Sequence, residues 1–367
     1  MKKITVFLTL CVIAYFSYAA DGVDYTADFV EGSPEVKSIN ALTFGPEGIL
    51  FLGDSKSAKV YAIETGDTKA NRIETLELSK VYELIASSLG TTKDDISIQD
   101  MVINPISKAT YFAVALGDGT PVLLKLVDNT FENVSLKNIK YAEAPISNVL
   151  AEDAEDRRGR SLRIWTVSDL NYYDGQVMVS GLSNQEFSST FRSIKFPFAG
   201  DEQSSSLEIY HAAHGRYETY APIKSFTAAT VNGKPHLIAS YTCTPLVVFP
   251  LDELKPGEHV KGRTVAELGN WNTPLDMVVM QKEGKQYLLM ANSSRALMKI
   301  RFDDIENFDG SLTTPVEERS ATAGVDFIAL PFVNVQQLDR LNDDNFVLLQ
   351  RQSNGDLDLL TQSNKWL

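Results

Sequence analysis

The chain has 367 residues, with 48 acidic against 34 basic side chains and a net charge of −14 at neutral pH. That balance excludes nucleic acid as a partner, because phosphate backbones select basic faces, and it disfavours anionic membrane surfaces. It is compatible with cation binding, and equally with nothing more than solubility.

The first element reads as an export signal. Lys2 and Lys3 give a positive start, Ile4 to Phe16 an apolar core, and Ser17-Tyr18-Ala19 the small residues of a cleavage site. Cleavage is expected after Ala19, so that residues 20–367 form a single exported domain, periplasmic or extracellular. Losing Lys2 and Lys3 takes the net charge from −14 to −16. No later stretch reaches the ~20 apolar residues of a membrane helix, so the mature chain has no expected span. Cys11 leaves with the signal, and Cys243 in "SYTCTPLVVFP" remains as the one cysteine of the mature chain. An intramolecular disulfide is therefore excluded. Cys243 reads as a buried small hydrophobe at a strand corner, with a reactive thiol as the alternative.

Next comes "INALTFGPEGILFLGDSKSAKVYAI", from Ile39 to Ile63. It alternates apolar runs with turn chemistry: strand, Gly-Pro-Glu-Gly turn, strand, polar corner, strand. The same cadence restarts at Ile98, Val167, Ile223, Pro274 and Val335. A three- or four-stranded unit cannot close a core alone, but six arranged radially can. The fold class expected is all-β, a six-bladed β-propeller. "SLRIWTV" (residues 161–167) and "SSLEIYH" (residues 205–211) are candidates for outer strands. The last copy lacks an outer strand, and Asp24 to Val30 are expected to supply it and close the ring. One short helical insertion is expected between blades 1 and 2. "SKVYELIASSLG" has apolar residues at helical spacing, Ser79 as N-cap and Gly90 as stop. "AEDAEDRRGR" (residues 151–160) reads as a solvated loop.

The first blade resembles the NHL-repeat and regucalcin/gluconolactonase group of propellers, whose blades begin with an Asn or Asp before an apolar strand. The likeness is also partial in "PLDMVVMQKEGKQYLLMANSSRALMKI". It implies that Asn40, Asp100, Asp169 and Asp276 stand at the channel entrance, where such residues hold a divalent cation, Ca²⁺ for preference. Ser225 and Gln337 fill the same register in the other two copies. Hard cations want several carboxylate and amide oxygens, which inner strands can converge on one axis. The alternative is that these side chains cap strand ends. Gly is missing after each of them, and Glu31 and Glu35 are only candidates for the group's N-terminal Glu ligand.

Two further constellations stand out. "HAAHGRYETY" places His211 three residues before His214, followed by Arg216 and Glu218. In a loop the two histidines can converge on a metal or anion, provided that Glu218, His236 or His259 supplies a third donor. Arg216 and Tyr217 can instead contact a ligand or partner. "ELGNWNTPLDM" sets Trp271 between two asparagines, a flat surface for a pocket mouth, and "ANSSRAL" adds Asn292 nearby. No G-x-S-x-G, H-E-x-x-H or phosphate-binding glycine loop is present, so no catalytic residue is assigned. The expected function is an accessory or binding module, holding a small molecule or protein through loops at one end of the channel. The alternative is a divalent-metal-dependent hydrolase of the lactonase or esterase kind.

Overall fold

A computed structural model describes residues 23–367. The expected signal, residues 1–19, and Cys11 lie outside the described residues. Six sheets surround a central axis, one for each repeat read in the sequence, antiparallel except where His259–Lys261 pairs in parallel with Gln203–His211 of blade 3. Their inner strands are Ala41–Phe44, Ile96–Ile103, Asp169–Tyr173, Ile223–Val231, Pro274–Lys282 and Val335–Arg340. In blades 3, 4 and 5 the inner strand turns into the second through Asp174-Gly175, Asn232-Gly233 and Glu283-Gly284. All six of these residues have positive φ. Such paired left-handed residues match the twist of a two-residue hairpin, and glycine at the second position makes them inexpensive. Among the described residues, no helix is long and apolar enough to cross a membrane.

The order of blades around the ring is not their order in the chain. Six hydrophobic clusters fill the six gaps between blades, and each names its neighbours. Leu50, Tyr61, Tyr111 and Leu123 join blades 1 and 2. Phe112 and Leu124 of blade 2 meet Val347 and Leu359 of blade 6. Phe51 and Val60 of blade 1 meet Val177 and Ile194 of blade 3. The remaining gaps join 3 with 4, 4 with 5 and 5 with 6. The ring therefore runs 2-1-3-4-5-6, with blades 1 and 2 exchanged. Each fully buried Leu, Ile or Phe in these gaps contributes roughly 1.5–3 kcal/mol, so the gaps both hold the ring together and fix its order.

This exchange explains where the outer strands come from. After blade 1 the chain crosses to blade 6, where Glu77–Leu78 pairs with Leu357–Ser363 and completes that sheet. The chain then builds blade 2 and returns as Ile139–Pro145, the fourth strand of blade 1. The N-terminal segment does not close blade 6 as expected. Its strand, Val30–Gly32, pairs with Ile139–Pro145 on the rim of blade 1. Tyr25 and Phe29 pack there against Phe196.

The insertion is an α-helix, Val81–Leu89, stopped by Gly90 at φ 68°. Ser79 is not its cap. The cap position falls on Lys80, and the free N–H groups are met from another blade: Asp358 accepts from Lys80 N and Asp356 from Tyr82 N. Val81 and Ile85 then fill the gap between blades 2 and 6. Of the two outer-strand candidates, Gln203–His211 is the fourth strand of blade 3, whereas the stretch at 161–167 forms a 3₁₀ turn, Arg163–Trp165.

Candidate functional site

The polar series converges on the axis, and its first task is visible in its hydrogen bonds. Asp100 of blade 2 accepts Leu42 N–H of blade 1 at 2.6 Å. Gln337 of blade 6 accepts Met101 N–H of blade 2. Asp276 of blade 5 accepts Leu338 N–H of blade 6, and Asp169 of blade 3 accepts Phe226 N–H of blade 4. The second oxygen of each aspartate accepts the N–H of the residue that follows it. Inner-strand ends leave backbone donors that must find partners when buried, and these side chains supply them across blade boundaries.

The concentration of carboxylates has an electrostatic consequence. Burial, with the charge of Asp169 added, pushes Asp100 well above the usual carboxylate range. Burial and the charge of Asp100 do the same to Asp276. Burial raises Asp169 to about 7 against the pull of its two N–H donors. Asp339, which accepts Ile103 N–H further down the channel, is raised by burial to about 6.

Asn40 is out of this register. Asp100 pairs with Ala113 and Asp169 with Ser180 across their ladders, and the corresponding residue of blade 1 is Ala41, paired with Gly53. Asn40 belongs one residue earlier, and its Oδ1 accepts from Ser38 Oγ and Ser55 N. The reason is a bulge. Gln99, Lys224, Leu275 and Gln336 are each an extra residue in the inner strand of their blade, and a bulge re-aims its side chain. Ser168 and Asn40 stand at the same point, just outside their ladders.

These six residues, one from each blade, line a single cavity of about 450 Å³ at the channel mouth, with Tyr82, Trp165, Thr273 and Arg351 around them. Among the described residues no Asp or Glu lines it, although the chain carries 48 of them. Lys224 extends its ammonium 3.2 Å above the centre of the Trp165 ring. Burial, with the charge of Arg160, lowers it to about 8. Neither Lys224 nor Arg351 forms an ion pair with a described carboxylate; Arg351 donates to Gly355 O. A second cavity of about 400 Å³, beside Lys108, Asp339 and Arg340, opens at the other end of the inner strands. A third, about 240 Å³, sits on blade 3, where its buried cation, Arg192, already faces Glu202 at 3.4 Å.

The residues of the histidine constellation gather on the rim between blades 3 and 4. His211 ends the outer strand of blade 3, and His214 follows in the turn Ala212–His214. Gly215 at φ 63° reverses the chain, so that Arg216–Glu218 folds back on the same strand. Glu218 is thereby buried among donors. Its Oε2 lies 3.0 Å from His211 Nδ1 and its Oε1 2.7 Å from His214 Nδ1, and Arg216 and Tyr220 also donate to it. Burial pushes the Glu218 carboxyl up, but these donors outweigh it and hold it at about 2. Arg216 is spent on Glu218 and Tyr220.

Neither His236 nor His259 joins the pair: His236 bonds Lys234 O, and His259 is held by Ser206 and Glu208. The residue that does join it is Cys243, half-buried at a blade 4 corner where it and Thr244 both have positive φ. His211, His214 and Cys243 offer ligand atoms all within 4.8 Å of one another. Burial pushes the Cys243 thiol up. Glu267, fully buried at the end of the blade 4 outer strand, is raised by burial to about 7. Trp271 is next to this group but 70 % exposed, with Arg319 stacked on its ring. Asn292 is buried and closes a blade 5 corner, bonding Ala296 O and Arg295 N.

Lys224, Gln99, Gln336 and Trp165 at the mouth, and Glu267 and the pairing of Cys243 with the histidines at the rim, are functional candidates that appear only in the fold. A signal for the first set was present, because each bulge residue directly precedes a member of the polar series. No protein-family model and no curated protein matches the chain. Among solved structures it is similar to Drosophila Plexin A, seen in complex with Semaphorin 1b, at 9 % identity and a TM-score of 0.39, over 91 % of this chain and 86 % of that one. It is similar also to a Thermus thermophilus protein described as a putative oxidoreductase (glucose dehydrogenase), at 11 % identity and a TM-score of 0.36, over 91 % and 99 % of the two chains. At such values neither likeness carries an argument about activity.

Proposed function

We propose that the protein is a binding module whose ligand is a small hydroxyl-bearing anion, a carboxylate or phosphate on a polyol skeleton, held at the channel mouth. The observation that carries this reading is Lys224, a partly buried ammonium that lies over Trp165 and has no described carboxylate partner, in a cavity without an acidic lining. A cation taken out of water calls for an anion, and the ligand supplies it. Asn40, Gln99, Gln336 and Ser168 offer amide and hydroxyl groups for ligand hydroxyls, and Trp165 offers a flat face. A concave site with a few convergent polar groups is the usual form of a small-molecule pocket. The expected export of the chain would place the site outside the cytoplasm.

The second reading is a hydrolase with a divalent cation at the channel entrance. It draws on the raising of Asp100 by burial and the charge of Asp169, and of Asp276 by burial and the charge of Asp100, which a cation would relieve. It stands second because the same oxygens hold backbone N–H groups of neighbouring blades.

Calorimetric titration with gluconate and with inorganic phosphate, and with myo-inositol as the neutral control, tests the first reading. Saturable binding of an anion is expected, weakened about 10- to 100-fold in Lys224→Met, as for loss of a charged hydrogen bond worth about 1.5–3 kcal/mol. Equal binding by Lys224→Met, or no preference for anion over inositol, would overturn it.

A further inference from the structure

The rim cluster carries an inference that is independent of the channel mouth. We infer that His211, His214, Cys243 and Glu267 form a site for a divalent transition metal, zinc before others.

Three observations converge. First, donors from two blades and three separate chain segments place their ligand atoms together: His211, His214 and Cys243 within 4.8 Å of one another, and Glu267 Oε2 at 3.9 Å from His211 Nε2. Second, one carboxylate orients both imidazoles. Glu218 binds His211 Nδ1 and His214 Nδ1, one on each oxygen. With Nδ1 as the donor to Glu218, the lone pair of each neutral ring sits on Nε2. A second carboxylate that fixes the tautomer in this way is the common companion of a metal-binding histidine. Third, two acceptors are left over. His211 Nε2 and Glu267 Oε1 are buried and make no hydrogen bond. Their residues are 2 % and 0 % exposed. A buried polar atom without a partner is costly, and native structures rarely keep one without a reason. An ionised Glu267 and a neutral His211 are both acceptors and cannot satisfy one another; a cation held by His211 Nε2 and the Glu267 carboxylate, whose Oε2 also accepts Ala213 N–H, satisfies both side chains.

The donor set indicates the metal class. Two imidazoles, a thiol and a carboxylate are the ligands of zinc and its neighbours, not of calcium, which takes oxygens alone. Cys243 binds as the thiolate, so its proton leaves when the metal enters. The backbone is shaped for this. The paired left-handed residues Cys243 and Thr244 turn the blade 4 corner toward the histidines, and Cys243 N–H is tied to Asn272 O at 2.8 Å. His214 is 42 % exposed in its side chain, which leaves the metal an open side.

The test uses the purified full chain, stripped with chelator and re-equilibrated with Zn²⁺ or Co²⁺. Elemental analysis should find one metal per chain. The cobalt form should show a thiolate-to-metal charge-transfer band in the near ultraviolet that is absent in Cys243→Ser. His214→Ala, a partly exposed position at which folding is not at risk, should weaken zinc binding more than about 10-fold, the least expected even for an outer-shell partner. Retention of no metal at micromolar Zn²⁺ would overturn the inference. So would cobalt bound without the thiolate band, or equal binding by the two variants; a proton or a water then satisfies His211 and Glu267 instead.

Discussion

Two polar clusters lie at the same end of the ring, and they differ in how their hydrogen bonds are spent. Around the axis, Asp100, Asp169 and Asp276 each give both oxygens to backbone N–H groups, one in their own strand and one in the next blade. At the rim, His211 and Glu267 keep buried atoms with no partner. At the mouth, Lys224 lies over the Trp165 ring and has no described carboxylate partner. The lesson is that convergence alone does not mark a working group. A polar residue near the axis of a propeller can be wholly occupied in joining blades, while its neighbour one position earlier faces the open cavity.

The largest expected effect breaks the axial network. Asp276→Ala leaves Leu338 N–H and Met277 N–H without acceptors and should cost about 2–6 kcal/mol, at about 1–3 for each orphaned donor. A denaturant titration checks this, and an unchanged midpoint would mean that the aspartates are not structural.

Next is the pH dependence of stability. Asp169 and Asp339 are raised in the folded state, to about 7 and about 6 from 3.8. A carboxyl with a raised folded pKa stabilises most below its unfolded pKa, and that contribution is lost as pH rises through the folded value. The melting temperature should therefore fall between about pH 4 and pH 7 and level off above that, and Asp169→Asn should flatten the fall. Glu218, held at about 2, acts in the opposite direction, but only in much stronger acid. A cation seated among the aspartates would reverse the trend, and a chelator would then lower the melting point at pH 8.

A smaller effect belongs to ring closure. Leu78 is half-buried against the core between blades 2 and 6 and lies in the two-residue strand that completes blade 6. Leu78→Ala should cost about 1 kcal/mol, below the 2–5 of a fully buried leucine. Removal of residues 23–32 should leave blade 6 protected in hydrogen exchange, because its fourth strand is Glu77–Leu78. The smallest effect is Glu267→Gln. It keeps an acceptor for Ala213 N–H and should shift stability by less than about 1 kcal/mol, the centre of measured point-mutant effects, while weakening the rim metal. A large loss of stability there would show that Glu267 is occupied like the axial aspartates.

The number of blades was legible because each blade carries its own turn chemistry, and Gly90 was legible as a helix stop. The order of the blades was not. Neighbour choice lies in the gaps, where Phe112 meets Val347 and Phe51 meets Val177, and no local pattern encodes such pairs. Glu77–Leu78 is too short to show as a strand, and the N-terminal segment was a mistaken substitute for it. The one-residue slip at Asn40 has a similar cause: a bulge adds a residue without disturbing the apolar alternation that follows it. Cys243 could not be matched to His211 and His214 from spacing, because the donors come from different blades.

The most direct test of the channel mouth is an anomalous difference map from a crystal soaked in selenate, an oxyanion that can be located without prior assumptions. The account predicts the strongest site in the mouth cavity, within hydrogen-bonding distance of Lys224 Nζ. Selenate bound only elsewhere on the molecule, with the mouth holding water alone, would contradict it.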